Sequence, residues 1–317
     1  MTRVLRWLLP LLFTSLLATG CSLAKFGYDA FPYWAMWQLD GYVDLDDGQR
    51  VLARNAIDDL RAWHEQAELP RYARFLKQVD ARVQGVGQAA HGAVQGAMEG
   101  AGAGTDAAEP GGRDAIRPAE FGEWRQAVIA YWAPLADRVA APAAVLLTSL
   151  TPAQIERLKG RMADDNRDMA RKYRIDSPQG IAQARADRFI ERSEYFLGRL
   201  SGDQKRELRE SAARLPAEET LRLAEREERQ RALLALIARL QAERPPAAVG
   251  QAWTRDYLMS MVRYADPQRR EQLERAQRAA DEVTARTVNE ASDAQRRHLS
   301  KRLRDFAADF ERRAGRG

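Results

Sequence analysis

Apolar positions recur along most of the chain at steps of three and four residues, which is the period of an amphipathic helix. From Asp46 onward, this spacing connects Leu52, Ala56, Leu60 and Trp63. No stretch after the first 20 residues convincingly alternates apolar and polar residues as a half-buried strand does. The pattern predicts an all-α protein, built as an irregular multi-helix bundle or helical array.

Prolines, glycines and capping residues divide the later part of the chain into successive helices. Leu69-Pro70 starts an earlier helix, with Tyr72 on its inward face, because proline is pre-organised for the first helical position. Helices resume near Pro118. The later boundaries that we predict are 152–173, 178–200, 202–214, 216–243, 250–263, 267–290 and 293–313.

Composition divides the chain into five segments. Residues 84–117 are rich in glycine and alanine, and such a segment cannot bury enough apolar surface to offset its ordering entropy. We predict a flexible, disordered insertion there, with at most a frayed helix over 86–99. The other segments are a leader at 1–20, an aromatic-rich arm at 21–45, a first helical pair at 46–83 and a main helical domain at 118–317.

The N-terminus has the layout of a bacterial export signal. Arg3 and Arg6 accompany an apolar run over 4–17, which is too short to span a bilayer comfortably. Small residues follow this run, and the single cysteine of the chain, Cys21, comes next. The cleavage signal consists of Leu17, Ala18, Thr19 and Gly20.

This stretch resembles the lipobox of bacterial lipoproteins, although Ala18 stands where a leucine is commonest. The resemblance implies cleavage after Gly20 and acylation of Cys21, so membrane lipid is the first expected partner. Acyl chains make a firm anchor, since each buried methylene contributes about 0.8 kcal/mol. In lipoproteins of this type, Ser22 implies the outer membrane rather than retention in the inner membrane, and we expect the anchor on its periplasmic face. The alternative is a plain secretory signal with an incidental thiol.

The arm that follows the cysteine is rich in aromatic residues, which favour membrane interfaces. Two interpretations stay open. The arm either rests on lipid headgroups beside the anchor, or it docks on the helical core through Phe31, Trp34 and Trp37. Docking is favoured, because Asp40 and Asp44 would be repelled by an anionic leaflet.

Four predicted helices begin with one local motif, an N-capping side chain followed three residues later by glutamine. In such a capping box the first side chain accepts a hydrogen bond from an unpaired helix N–H, and the glutamine reaches back to the cap. The four boxes are Asp46 with Gln49, Thr151 with Gln154, Ser201 with Gln204, and Ser292 with Gln295.

Two resemblances attach to these motifs. Leu150-Thr151-x-x-Gln154 is similar to the LTxxQ motif of periplasmic stress proteins and chaperones of the Spy and CpxP type, and Leu200-Ser201-x-x-Gln204 nearly matches it. A broader set resembles an uncharacterised family of proteobacterial lipoproteins, which implies fold and location without an activity. That set contains the lipobox, Gly41 to Asp46 with Gln49, Trp63-His64 with Leu69-Pro70-x-Tyr72, and Asp164-Asp165-Asn166-Arg167.

Asp165 falls on the otherwise largely apolar helix face that includes Leu158 and Met162. A buried carboxylate needs a partner, because uncompensated burial costs several kcal/mol. The candidate partners on the following helix are Arg185, Arg188 and Arg192. The alternative is that the helix turns Asp165 to the rim of the packed face.

Charge and motifs narrow the possible chemistry. The formal net charge is +5, but both signs are interspersed along the chain, so we expect no nucleic-acid partner. The three histidines lie far apart and form no metal-binding motif, and we expect no metal and no cofactor. His64, beside Trp63, is interpreted as a partly buried polar contact. Without a nucleophile motif, we also expect no enzymatic activity.

These features predict a lipid-anchored, periplasmic helical protein with an interaction or structural role and an envelope protein as partner. An LTxxQ-type chaperone for unfolded clients is one alternative, and a cell-envelope hydrolase with a polar pocket is another. The residues expected to carry interaction or structure are Asp44, Asp46, Gln49, Trp63, His64, Pro70, Tyr72, Thr151, Gln154, Asp165, Asn166 and Arg192.

Overall fold

The computed structural model describes residues 28–98, 115–264 and 266–315. Within these ranges every regular element is a helix, which confirms the predicted all-α helical array. The leader, the acylation position Cys21 and residues 99–114 lie outside the described residues. Cleavage and acylation therefore stay predictions.

The helices follow one another through mostly short connections. At the N-terminal side, α1 spans Phe31–Val43, α2 spans Asp47–Trp63 and α3 spans Leu69–Met98, with a π-helical segment, His64–Glu68, between α2 and α3. The later helices are α4 (Pro118–Ala130), α5 (Trp132–Ser149), α6 (Pro152–Tyr173), α7 (Pro178–Leu197), α8 (Gly202–Arg214), α9 (Glu219–Glu243), α10 (Ala247–Ser260), α11 (Pro267–Asn289) and α12 (Asp293–Ala314). Helices α6 and α8 have the predicted bounds.

The structure corrects two predicted boundaries. Leu69-Pro70 does not start a separate helix, because the π segment continues α2 into α3, and the N–H of Leu69 bonds to the carbonyl of His64. Helix α3 then continues to Met98, over the range 86–99 where a frayed helix was predicted, since alanine favours helix and elongation of an existing helix needs no new nucleus. Ile116, also assigned to the insertion, is 1% exposed and belongs to the core.

Buried apolar side chains form two clusters. The first core consists of Val43, Leu45, Ala53, Leu150, Leu158, Met162 and Ile237. The second core consists of Val83, Ile116, Ile190, Leu197, Leu200, Leu208, Val283, Ala291, Leu299 and Leu303. The residue before each capping box is buried in one of them: Leu45 and Leu150 in the first core, Leu200 and Ala291 in the second. Each core is thus built around two helix starts.

The aromatic arm enters the fold as α1, which contacts α2 and α6. Its inner face packs on the first core through Met36, Leu39 and Tyr42. Phe31 and Trp34 are partly buried, as the docking interpretation expects. Trp37 differs from that interpretation, because it is 47% exposed, and Tyr33 is 81% exposed.

No single helix among the described residues is both long and apolar enough to cross a bilayer. Residues Pro118–Ser149 and Pro152–Tyr173 together pass by length and composition, with a bend of 114° between them.

Candidate functional site

All four predicted capping boxes are formed. At the start of α2, the N–H of Gln49 donates to Asp46 Oδ1 at 2.8 Å, and the N–H of Asp46 donates to Gln49 Oε1 at 3.1 Å. At the start of α6, the N–H of Gln154 donates to Thr151 Oγ1 at 3.3 Å, and the N–H of Thr151 donates to Gln154 Oε1 at 2.9 Å. Each box uses the oxygen of the glutamine and leaves its side-chain N–H groups for other partners.

Those N–H groups join the two boxes into a first glutamine pair, Gln49 and Gln154. Gln49 Nε2 donates to Gln154 Oε1 at 3.2 Å, and Gln154 Nε2 donates to Gln49 Oε1 at 2.6 Å. Each amide also donates to a carbonyl two residues before the opposite cap, that of Ser149 at 3.1 Å and that of Asp44 at 2.9 Å. The two glutamines are 4% and 8% exposed, so the pair lies inside the fold.

The other two boxes form a second glutamine pair, Gln204 and Gln295. Their amides exchange two hydrogen bonds of 3.0 Å each, and Gln295 Nε2 also donates to the carbonyl of Arg199 at 3.0 Å. Arg199 precedes the Ser201 cap by two residues, so the arrangement repeats that of the first pair. Neutral amides bonded to one another and to carbonyls hold helix starts together and supply no acid, base or nucleophile.

Asp165 is paired, but not with the arginines that the sequence suggested. It accepts a hydrogen bond from the Tyr42 hydroxyl, and its oxygens lie 3.5 Å from nitrogens of both Arg161 and Arg226. Its side chain is 16% exposed, between the buried and the rim positions considered above. Burial, and then the bond to Asp165, raise the pKa of Tyr42 to about 12, so this phenol stays a hydrogen-bond donor at neutral pH.

Asn166 extends this polar contact toward α9. Its Nδ2 donates to Gln230 Oε1 at 2.7 Å, and Arg226 Nε donates to Asn166 Oδ1 at 2.8 Å. Arg226 therefore bridges Asp165 and Asn166. Sequence reasoning missed Arg226 and Gln230. The available signal was their spacing of four residues, which places both on one face of α9.

The arginines expected to face Asp165 have another partner, Glu219. Arg185 Nη2 and Arg188 Nη2 lie 2.5 Å and 2.8 Å from its two carboxylate oxygens, and Glu219 is 1% exposed. Burial alone would raise the pKa of Glu219, but its bonds to Arg185 outweigh burial and the pKa is lowered. Arg192, one turn further along α7, is exposed and makes no ion pair within the described residues.

His64 lies in an aromatic cluster formed by His64, Tyr28, Tyr72, Tyr131 and Phe310. The Tyr28 hydroxyl is 2.9 Å from His64 Nδ1. The ring of Tyr72 meets the His64 ring edge-on, with centroids 5.3 Å apart, and also contacts Tyr131 and Phe310. Burial lowers the pKa of His64 to about 4, so the ring is neutral at pH 7. The histidine is a partly buried polar contact, as the sequence analysis interprets it.

Charged groups border the aromatic cluster. The Arg313 guanidinium carbon lies 4.7 Å from the centroid of the Tyr28 ring, and its Nη1 bonds to Asp29 at 2.7 Å. Glu68 is 2% exposed, and one of its oxygens accepts from Arg71 at 2.8 Å. The other Glu68 oxygen is buried and has no hydrogen-bond partner among the described residues. The cluster therefore joins α12 to the π segment and to the residues before α1.

Pro70 gives a local reason for the π segment beside this cluster. Proline has no N–H, and within an α-helix its ring clashes with the carbonyl four residues before it. A wider turn over His64–Glu68 relieves that clash, and Trp63 packs its ring 6.4 Å from that of His64. π segments occur often at functional sites. Here the segment brings the predicted residues Trp63, His64, Pro70 and Tyr72 into one region.

A shallow surface depression lies beside the second glutamine pair, lined in part by Glu207, Ser211, Arg286 and Glu290. Arg286 Nε lies 3.1 Å from Glu207. Burial, and then the nearby Glu207, raise the pKa of Glu290. Sequence reasoning did not single out this carboxyl pair, because its members lie on different helices. No three His, Cys, Asp or Glu side chains in the described ranges are placed to hold a metal ion.

Comparisons with known proteins identify a family without an assigned activity. The model of a family of unknown function, DUF6279, matches residues 41–98 and 112–257. No curated protein and no solved structure matches the chain. The matched ranges contain the first glutamine pair, Asp165 and His64, whereas Ser292 and Gln295 lie beyond them. Because the match covers more than half of the chain, this protein belongs to the family of unknown function DUF6279.

Proposed function

We propose that this chain is a lipid-anchored envelope protein that acts through binding and structure rather than catalysis. The observation that carries the proposal is that the polar side chains singled out from the sequence are bonded to other side chains of the fold. The bonded pairs are Gln49 with Gln154, Asp165 with Tyr42, and His64 with Tyr28. Side chains used in this way stabilise contacts between helices and are not directed at a substrate.

Cys21 supplies the anchor in this proposal. After cleavage at Gly20, acyl chains on Cys21 insert in the outer membrane, and the helical body lies on its periplasmic face. The lipobox-like sequence and Ser22 support this location. The partners are then membrane lipid and a second envelope protein, and the function needs no nucleic acid, metal or cofactor.

Photo-crosslinking in intact cells tests the partner. A photoreactive phenylalanine analogue replaces exposed apolar residues on three helices, Val51 on α2, Val145 on α5 and Val249 on α10. We expect one position to crosslink a single, reproducible envelope protein, and we expect the crosslink to disappear in a Cys21→Ala background that no longer reaches the membrane. Crosslinking that persists unchanged in Cys21→Ala, or the absence of any crosslink from membrane-bound protein, would contradict the proposal.

A chaperone-like role is the second candidate, because the LTxxQ-type sequence at 150–154 forms a complete capping box. Light scattering of an aggregating client protein tests it, with the chain from residue 22 onward added in molar excess. A chaperone suppresses the scattering in proportion to its concentration. Scattering equal to that with an inert protein at the same excess would remove this candidate.

A further inference from the structure

Helix α1 has two faces with different surroundings. Its inner face packs on the first core through Met36, Leu39 and Tyr42. On the outer face, Tyr33 is 81% exposed and Trp37 is 47% exposed. Residues four apart lie one turn apart on the same side of a helix. Two large aromatic side chains are thus held in solvent by a helix whose other face is already packed.

We propose that Tyr33 and Trp37 lie in the interfacial layer of the bilayer that holds the acyl chains of Cys21. This inference rests on the proposed anchor, because acylation brings α1 to the membrane. Tyr28 follows Cys21 by seven residues, and a chain of that length spans at most about 25 Å when fully extended. Tryptophan and tyrosine are enriched at this depth, since their rings are apolar and their N–H or O–H groups reach water.

Two acidic residues, one in α1 and one just before it, are ion-paired with arginines. Asp40 Oδ1 lies 2.7 Å from Arg50 Nη2, and Asp29 Oδ1 lies 2.7 Å from Arg313 Nη1. An ion-paired carboxylate is repelled less by anionic headgroups than an isolated one. The repulsion between Asp40 and an anionic leaflet, which the sequence predicted, is therefore reduced.

Asp44 indicates how α1 is oriented. It is exposed at the end of α1, seven residues beyond Trp37, which is about 10 Å along the helix axis. The exposed aromatic fraction is larger at Tyr33, nearer to the anchor, than at Trp37. The end of α1 that follows the anchor therefore faces the lipid, and Asp44 lies at the end directed toward water.

Spin labelling of the mature, membrane-extracted protein tests this orientation. Cys21 is the single cysteine and is acylated in this proposal, so Tyr33→Cys or Trp37→Cys creates one labelling site. The labelled protein is reconstituted in vesicles of phosphatidylethanolamine and phosphatidylglycerol. At both positions, we expect oxygen to relax the spin label more, and an aqueous nickel chelate to relax it less, than at a position that faces water. Val145→Cys, at a 56% exposed position on α5, is the matched control and should report water.

Intact-mass spectrometry of the same preparations separates the possible failures. If residue 21 is acylated but the labels at 33 and 37 are as accessible to the nickel chelate as the label at 145, this inference is overturned and the anchor stands. If residue 21 is an unmodified thiol, the anchor is wrong and the inference fails with it. Labels that are shielded from the nickel chelate but show no greater relaxation by oxygen would indicate a protein partner or a second copy, which also overturns the inference.

Discussion

At the scale of single residues, the buried polar side chains of this protein connect helix ends. Gln154 illustrates this role, because its Oε1 accepts from Thr151 and Gln49 and its Nε2 donates to Gln49 and to the Asp44 carbonyl. A buried amide left without partners costs about 1–3 kcal/mol. Each glutamine of the first pair therefore depends on the other.

We predict that Gln154→Ala lowers the free energy of unfolding by about 3 kcal/mol, because it removes a capping interaction and two hydrogen bonds of the buried Gln49. Urea denaturation measures the change, and Gln251→Ala, at an exposed position in α10, is the control with little effect. The double variant Gln49→Ala/Gln154→Ala should lose less than the sum of the single losses. Strict additivity would show that the two amides do not interact.

We predict that Asp165→Ala lowers the free energy of unfolding by about 2 kcal/mol, because Tyr42 loses its acceptor and Arg226 loses a counter-charge. Asp165→Asn should lose less, since it keeps an oxygen that accepts from Tyr42. Thermal melts of the two variants beside the unmodified protein measure this order. An unshifted melting temperature for Asp165→Ala would remove the structural role.

His64 gives a prediction about pH. Its pKa in the fold, about 4, lies below the ordinary value of 6.5, so between these values the unfolded chain binds a proton that the folded chain does not. Stability should therefore fall as the pH drops from about 6.5 to about 4, by at most about 3 kcal/mol. His64→Gln keeps a polar partner for Tyr28 and cannot titrate. The stability difference between this variant and the unmodified protein should change over that range, and a constant difference would contradict the burial of His64.

At the scale of elements, the helix starts were predictable because their signals are local. The capping boxes at Asp46, Thr151, Ser201 and Ser292 are each complete within four residues, and all four helices begin there. The pairing of these starts was not predictable. Residues Gln49 and Gln154 lie 105 positions apart, and tertiary packing, which has no local signal, selects the partner.

Asp165 and Ile116 show two further limits of sequence reasoning. Helical periodicity placed Asp165 on a packed face, but it does not reveal which helix covers that face. Tyr42 of α1 and Arg226 of α9 contact it, where α7 was expected. Ile116 lies in a stretch whose average composition predicted flexibility, and one large apolar side chain is lost in such an average.

We predict that Ile116→Ala lowers the free energy of unfolding by about 3 kcal/mol, because it leaves a cavity in the second core. Asn289 holds the same residue, since its Oδ1 accepts from the Ile116 N–H and its Nδ2 donates to the Ile116 carbonyl, both at 2.9 Å. Val51→Ala, at a 61% exposed position on α2, is the matched control and should change stability by less than about 0.5 kcal/mol. A loss at Ile116 no larger than this control would contradict its anchoring role.

At the scale of the whole molecule, two cores are each built on a pair of capped helix starts, and α1 lies beside the first core. The polar side chains singled out from the sequence stabilise contacts within this body. Its exposed aromatic side chains on α1 lie at the end that follows Cys21 in the chain. In the proposed function, the acyl chains on Cys21 hold this body at a membrane. Its location is therefore the central claim of the account.

Intact-mass spectrometry of the protein extracted from membranes tests that claim most directly. We predict a chain that begins at Cys21, with the added mass of a diacylglyceryl group and a further acyl chain, and a Cys21→Ala variant that leaves the membrane fraction. An unmodified thiol at residue 21, or a Cys21→Ala variant that still sediments with the envelope, would contradict it.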